Sequence, residues 1–357
     1  MSAPPETGAE GITLDELQLA ARNHGMPLEA LRYDLTPVGL HYLLIHYDIP
    51  AVDPDTWTLT VGGQVAERLS LRLADLKERE SVEVIATMEC AGNGRAALTP
   101  RPVSQPWLLE AVGTARWRGV RLASLLEEAQ LLEEAVDVVF TGLDRGIEKG
   151  VEQRYQRALP VEVAFSDDLL LAYEMNGAPL LPQHGFPLRL VVPGWYGMTN
   201  VKWLTSITAV DEPFAGYQHA AAYRMRASEE EEGTPVTRMA PRSLMVPPGI
   251  PDFHTRARTL ERGPVLLQGR AWSGHAAVNR VEVSLDDGAT WQEAALEPGA
   301  SPWAWRRWTF GWEAEPGRYV LACRASDEAG NAQPDGPSWN VGGYSNNAVQ
   351  RVPVTVA

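Results

Sequence analysis

The sequence predicts an α+β chain: a mixed α/β domain over residues 1–210, a linker over 211–240 and a β-sandwich over 241–357. Three observations predict it. Short apolar runs alternate with amphipathic helical stretches through the first part of the chain. A charged, proline-bearing stretch breaks that texture after Pro213. Everything beyond it reads as strands and turns.

In chain order, the first fifty residues read as irregular, with "ARNHGMPLEAL" and "HYLLIHYDIP" separated by proline and glycine. From "TWTLTVGGQV" onward the pattern is mixed. "VEVIATM" and "VDVVFTGL" have the β-branched content and length of strands, and "RLASLLEEAQLLEE" has the apolar spacing of a helix. "PLRLVVPG" and "VKWLTSITAV" carry few charges, as strands covered on both faces do. "ASEEEEGTPVTRMAPRS" holds four consecutive glutamates, whose mutual repulsion predicts a solvated linker. The final third, with "VLLQGRAW", "VNRVEVSLDDGATWQEA" and "RYVLACRASD", places turns at Asp287-Gly288 and Ala329-Gly330-Asn331, about the spacing of a sandwich. Seven of the twelve tryptophans lie there, which favours an aromatic-packed core. Cys323 alternates with apolar neighbours and reads as part of that core.

Composition removes several function classes. A net charge of −15 argues against sequence-independent nucleic-acid binding, which needs basic surface. No run of about 18 apolar residues exists to span a membrane. Two distant cysteines cannot build a disulfide scaffold, and no CxxCH pair exists for a c-type haem. "MSAPPETGAEGITLDELQ" has no basic n-region, apolar h-region or twin arginine, which predicts a cytoplasmic protein.

The informative stretch is "VIATMECAGNGRAALTP", Val84 to Pro100, where Cys90 precedes a glycine turn. Gly92-Asn-Gly94-Arg-Ala-Ala97 formally satisfies a dinucleotide loop. That loop works only with a helix behind it, and Pro100, Pro102 and Pro106 obstruct one. A nucleophilic thiolate needs a nearby base, and no local signature supplies one. A buried inert thiol leaves the turn and Arg95 unexplained. A soft thiolate ligand to a metal remains open as well. The chain has no HExxH, CxxC or paired-carboxylate cluster, so further ligands would come from an organic cofactor.

This constellation resembles the sulfite oxidase family of molybdenum enzymes. "MECAGNGR" matches the family's cysteine loop and "GTARWRGVRL" the segment after it. "LLLAYEMNGAPLLPQHGFPLRLVVPGWYGMTNVKWL" is a long, specific match, and "RVEVSLDDGATW" and "WNVGGYSNNAVQRV" resemble the family's immunoglobulin-like dimerisation domain. The resemblance covers nearly the whole chain. It implies a single pyranopterin dithiolene (molybdopterin), molybdenum ligated by Cys90, and no haem. It implies pterin contacts from Tyr42, Leu43, Leu44, Ile45 and His46, and from Asp144, His184, Arg189, Asn200, Val201 and Lys202. Tyr223 aligns with a tyrosine near the metal, Trp107 with a pocket tryptophan, and Arg95 with a substrate arginine. The expected reaction is oxidation of sulfite, a small oxyanion, by oxygen-atom transfer. Electrons would leave to an external acceptor such as a small cytochrome, and the chain would form a homodimer through its C-terminal domain.

Two departures matter. Where the pterin segment usually reads Arg-Asn-His, this chain has Leu44-Ile45-His46, and Gly342 stands where a second arginine is usual. Thinning the charge around a dianion weakens its binding. Arg22 or His24, in "ARNHGMP", is the expected source of replacement charge. The loss also keeps open reduction of a sulfoxide or nitrate, and a non-catalytic binding role.

Overall fold

A computed structural model describes residues 11–357. Residues 1–10, part of the stretch on which the cytoplasmic expectation rests, lie outside the described residues. The chain divides into two compact units, each discontinuous in sequence. One comprises Leu43–Cys90 and Ala115–Thr237; the other comprises the stretch through Tyr42, Ala91–Thr114 and Arg238–Ala357. This division by packing differs from the contiguous domain ranges 1–210 and 241–357 read from the sequence, which describe the chain order.

The first unit is the mixed α/β part. One five-stranded sheet runs in the order Leu69–Arg72, Thr58–Gly63, Leu204–Val210, Asp137–Glu148, Val151–Pro160. Only the pairing of Thr58–Gly63 with Leu204–Val210 is parallel. A second sheet runs Val82–Glu89, Val112–Arg121, Leu170–Met175, Ala178–Pro179, with Arg189–Val191 also pairing Leu170–Met175. The helix Leu122–Ala129 buries Leu122, Leu125, Leu126 and Ala129, the one-sided stripe its sequence spacing predicts. That stripe joins Leu59, Phe140, Leu190 and Ile207 in one core.

The second unit contains the sandwich. Arg242–Met245, Gly263–Trp272, Arg306–Ala314 and Ala295–Leu296 form one sheet. Ile250–Pro251, Arg258–Leu260, Gln350–Val356, Gly317–Asp327, Val278–Ser284 and Gln292–Glu293 form the other. Gln350–Val356 buries every second residue, as a strand with one wet face does. Trp308, Leu321, Cys323 and Val283 fill the space between the sheets. Burial pushes the Cys323 thiol up to about 12, so it stays a neutral hydrophobe, as its alternation predicts.

Hydrogen bonds explain why early segments join this unit. Arg270, only 3% exposed, donates to Leu31 O at 2.8 Å and pairs with Asp34 at 2.8 Å. Asn346 Nδ2 donates to Gly94 O at 2.7 Å, and Ser345 N donates to Ala91 O at 2.8 Å. These partners sit far apart in sequence, so no local pattern announces them.

Two local expectations need correction. The N-terminal region is not wholly irregular: Leu14–Arg22 is an α-helix. Thr13 and Glu16 form a capping box, Thr13 Oγ1 accepting from Glu16 N at 3.2 Å while Glu16 accepts from Thr13 N at 2.9 Å. The acidic stretch is not plain linker either. Its glutamates are exposed, but Arg224–Met225 pairs with Thr234–Pro235 around them, and Arg224 holds Glu232 at 3.0 Å. A two-residue ladder is too short to leave a hydrophobic signature. Among the described residues no helix is long and apolar enough to cross a membrane.

Trp308 is fully buried. Trp308→Ala should lower unfolding stability by about 3–5 kcal/mol, the cost of a large core cavity, read from urea denaturation of the whole chain.

Candidate cofactor site

Cys90 follows the strand Val82–Glu89 directly and is 7% exposed. Behind it come a turn and one three-residue 3-10 turn, Arg95–Ala97, and then bends and irregular chain through the prolines. No helix N-terminus is available to receive a pyrophosphate, which removes the dinucleotide reading.

Tyr155, Tyr223 and His46 form a polar cluster within the unit that holds Cys90. Tyr155, 5% exposed, donates its hydroxyl proton to Met198 O at 2.7 Å, since a carbonyl can only accept. The Tyr223 hydroxyl is a close polar neighbour of the Tyr155 phenol. Tyr223 Oη lies 2.6 Å from His46 Nε2. The His46 and Tyr155 rings sit 4.9 Å apart, and the Cys90 sulfur lies within electrostatic reach of the Tyr155 phenol. Burial raises the Tyr155 pKa well above its ordinary value, which keeps the phenol protonated.

Arg157 belongs to the same cluster and was not foreseen from the sequence. Alternation along Val151–Pro160 puts Tyr155 and Arg157 on one face, both buried. The Arg157 guanidinium lies 5.5 Å from the centre of the Tyr223 ring and donates to Gln218 O. The usable signal was "YQRA" inside an alternating strand, legible only once the buried face is known.

A second group gathers the expected pterin contacts. Arg189, 4% exposed, donates to His184 O at 3.0 Å and Asn200 O at 3.4 Å, and stacks 4.7 Å from Trp117. Lys202 Nζ donates to Leu44 O at 2.8 Å and Gln183 O at 3.3 Å. The Asn200 side chain accepts from Val192 N at 2.7 Å, and the Val201 carbonyl accepts from Leu190 N at 2.8 Å, which fixes the register of "TNVKW". Gly185, with φ +104°, lets the chain turn between His184 and Arg189; a Cβ there would meet the Lys202 and Arg189 Cβ atoms at 3.0 and 3.2 Å. Desolvation and the Arg189 charge pull the Lys202 pKa down, while Asp144 opposes them. Burial pushes the Asp144 carboxyl up, against the attraction of Lys202. Ile45 is buried and Leu43 partly so.

The remaining expected residues lie in the other unit. Arg95, 5% exposed, donates Nε to Gly342 O at 2.9 Å and Nη1 to Gln105 O at 3.0 Å, and stacks 5.3 Å from Tyr344. Its Nη2 makes no hydrogen bond among the described residues. The guanidinium occupies the space a Cβ on Gly92 would need, at 2.5 Å, which explains the glycine. Trp107 is buried, and its indole N–H has no partner among the described residues. Tyr42 is buried with its ring against His41. Arg22 and His24 are exposed; Asn23 is the buried member of that turn, donating to Gln105 at 3.1 Å and Leu19 O at 2.9 Å.

Among the described residues no cluster of three His, Cys, Asp or Glu side chains can hold a metal. The residues in the unit that holds Cys90 have the chemistry that a pterin with a phosphate tail would need. Asp144 Oδ1 is a buried acceptor without a partner among the described residues, suited to pterin N–H donors. Arg189 and Lys202 bring positive charge suited to a phosphate tail.

Comparison with known proteins agrees. The family model described as "Oxidoreductase molybdopterin binding domain" matches residues 46–218, and "Mo-co oxidoreductase dimerisation domain" matches 243–357. The chain is 38% identical to the mitochondrial sulfite oxidase of Macaca fascicularis, covering 90% of this chain and 62% of that one. It is 37% identical to the sulfite oxidase of Gallus gallus, covering 89% and 72%. An NAD(P)H nitrate reductase of Hordeum vulgare is 33% identical over 90% of this chain and 39% of its own. The chain thus spans less than two thirds of the mammalian relative's length. In fold it matches the crystal structure of the sulfane dehydrogenase SoxCD from Paracoccus pantotrophus, with TM-score 0.81, 24% identity and 100% and 95% coverage.

The lowered Lys202 pKa carries a sign. Between about 7 and 10.5 an unfolded lysine holds a proton that the folded one releases, so this group makes stability rise with pH across that window. Urea unfolding of apoprotein at pH 7 and pH 9 should show this rise, and Lys202→Met should remove it.

Proposed function

Because the chain belongs to the sulfite oxidase family of molybdopterin-binding oxidoreductases, we propose that it oxidises sulfite to sulfate and passes the electrons to an external acceptor. The observation that carries this reading is the lone Cys90 at a strand end, in the unit that also holds the Tyr155–Tyr223–His46 cluster and the Asp144–Lys202 pair. Cys90 is the protein ligand to molybdenum. The Leu43–His46 segment, with Tyr42 before it, lines the pterin. Asp144 and His184 meet its ring, and Arg189, Asn200, Val201 and Lys202 hold its phosphate end.

When bound, the molybdenum–pterin group supplies oxygen-atom transfer coupled to a two-electron redox change. The protein's own residues position and neutralise. Tyr223 Oη, hydrogen-bonded to His46 Nε2, is held as a fixed polar group in the unit that holds Cys90. The uncharged Tyr155 adds no repulsion toward an anion. The family resemblance gives Arg95 a substrate role and Trp107 a pocket role. Within their own unit Arg95 has Nε and Nη1 anchored on backbone carbonyls, and the buried Trp107 indole N–H has no partner among the described residues. Arg22 falls outside this reading, being exposed at the helix end. The match to a dimerisation domain supports a homodimer, and a small cytochrome suits the role of acceptor.

The test uses protein made in a molybdopterin-competent host. Sulfite with ferricyanide should give turnover, whereas reduced dye with nitrate or a sulfoxide should give far less. Cys90→Ser should drop sulfite turnover below detection with an unchanged circular dichroism spectrum. Preferred nitrate turnover would replace the sulfite reading, and an active Cys90→Ser variant would remove the ligand role.

A further inference from the structure

Arg157 is buried in the unit that holds Cys90, yet no expected site role falls on it. It is 2% exposed and sits on the same strand face as Tyr155, whose phenol feels both the Cys90 sulfur and the Arg157 charge. Its guanidinium plane lies over the Tyr223 ring, and one arm donates to Gln218 O. Gln218 belongs to the single π-helical turn Tyr217–Ala222, which ends at Tyr223. Such turns recur at functional sites.

Burial and Arg157 together hold the neighbouring His219 down to about 4, so that imidazole is neutral at physiological pH. The nearby carboxylates have donors elsewhere: Glu148 accepts from Gln218 Nε2 at 3.1 Å, and Asp137 accepts from Phe214 N at 2.8 Å. A planar guanidinium is a recognition group for a small oxyanion, its fork binding two oxygens, and here it lies against the Tyr223 ring. The sequence meanwhile has Leu44 and Gly342 at two positions where charge was expected.

We propose that Arg157 binds the oxyanion substrate together with Tyr223, and that it determines the affinity of the site for a small dianion. This rests on the sulfite reading for the identity of the anion, though not for the role of the guanidinium. The competing role is structural: Arg157 merely fastens the Tyr217–Ala222 turn through Gln218 O.

The experiment compares wild-type, Arg157→Gln and Arg157→Lys holoenzymes by three readouts: sulfite KM and kcat, sulfate binding by calorimetry, and molybdenum content. Arg157→Gln should raise the sulfite KM and the sulfate Kd by about ten- to a hundredfold, as loss of a charged hydrogen bond does, with molybdenum content unchanged. Arg157→Lys, keeping the charge without the fork, should fall between the two. Wild-type sulfite turnover with unchanged KM and sulfate Kd in Arg157→Gln would overturn the proposal and leave the sulfite reading standing. Arg157-dependent sulfate binding in a wild-type enzyme that does not oxidise sulfite would uphold it while removing that reading. Should Arg157→Gln fail to fold, Arg157→Lys decides alone: a sulfate Kd equal to wild type, with only kcat or thermal stability lowered, would establish the fastening role instead.

Discussion

The candidate site depends on keeping two cations inside protein, where water no longer solvates them. Removing a guanidinium or ammonium from water is costly unless dipoles replace the lost hydration. Backbone carbonyls supply those dipoles. Arg189 takes His184 O and Asn200 O, and Lys202 takes Leu44 O and Gln183 O. In satisfying two charges, these four carbonyls tie the segments around 44, 184 and 200 into one arrangement. The depressed Lys202 pKa records the residual cost, and a bound anionic group would offset it. The elements that make the apoprotein less comfortable are thus the ones that prepare it for a phosphate.

A comparable constraint orders the phenol cluster. Met198 O fixes the direction of the Tyr155 proton, and His46 Nε2 holds the Tyr223 hydroxyl at 2.6 Å. A hydroxyl held this way loses little freedom when an anion arrives, which is the benefit of preorganised polar groups. Arg95 follows the same logic in its own unit, with two nitrogens anchored on Gly342 O and Gln105 O and the third left over.

How much of this was legible in the sequence differs by kind of feature. The sandwich could be read from alternation in segments such as Gln350–Val356, and Cys323 followed as core. "CAGNGR" with three prolines behind it was enough to reject a nucleotide loop, and the three-residue turn Arg95–Ala97 bears that out. The helix Leu14–Arg22 carries its signal only in Thr13 and Glu16 at capping-box spacing, and the prolines and glycines that flank so short a helix mask its period. The unit boundaries were illegible because long-range bonds such as Asn346 to Gly94 O set them. Arg157 was illegible for a related reason: a charged residue in a strand looks like surface until the sheet shows which face is covered.

The central claim is that Cys90 is a metal thiolate in a centre that sulfite reduces. Titrating the oxidised holoenzyme with sulfite, while following the thiolate-to-molybdenum absorption, tests it most directly. The band should bleach in proportion to added sulfite and return on addition of ferricyanide. A molybdenum-loaded protein whose spectrum does not respond to sulfite would contradict the claim.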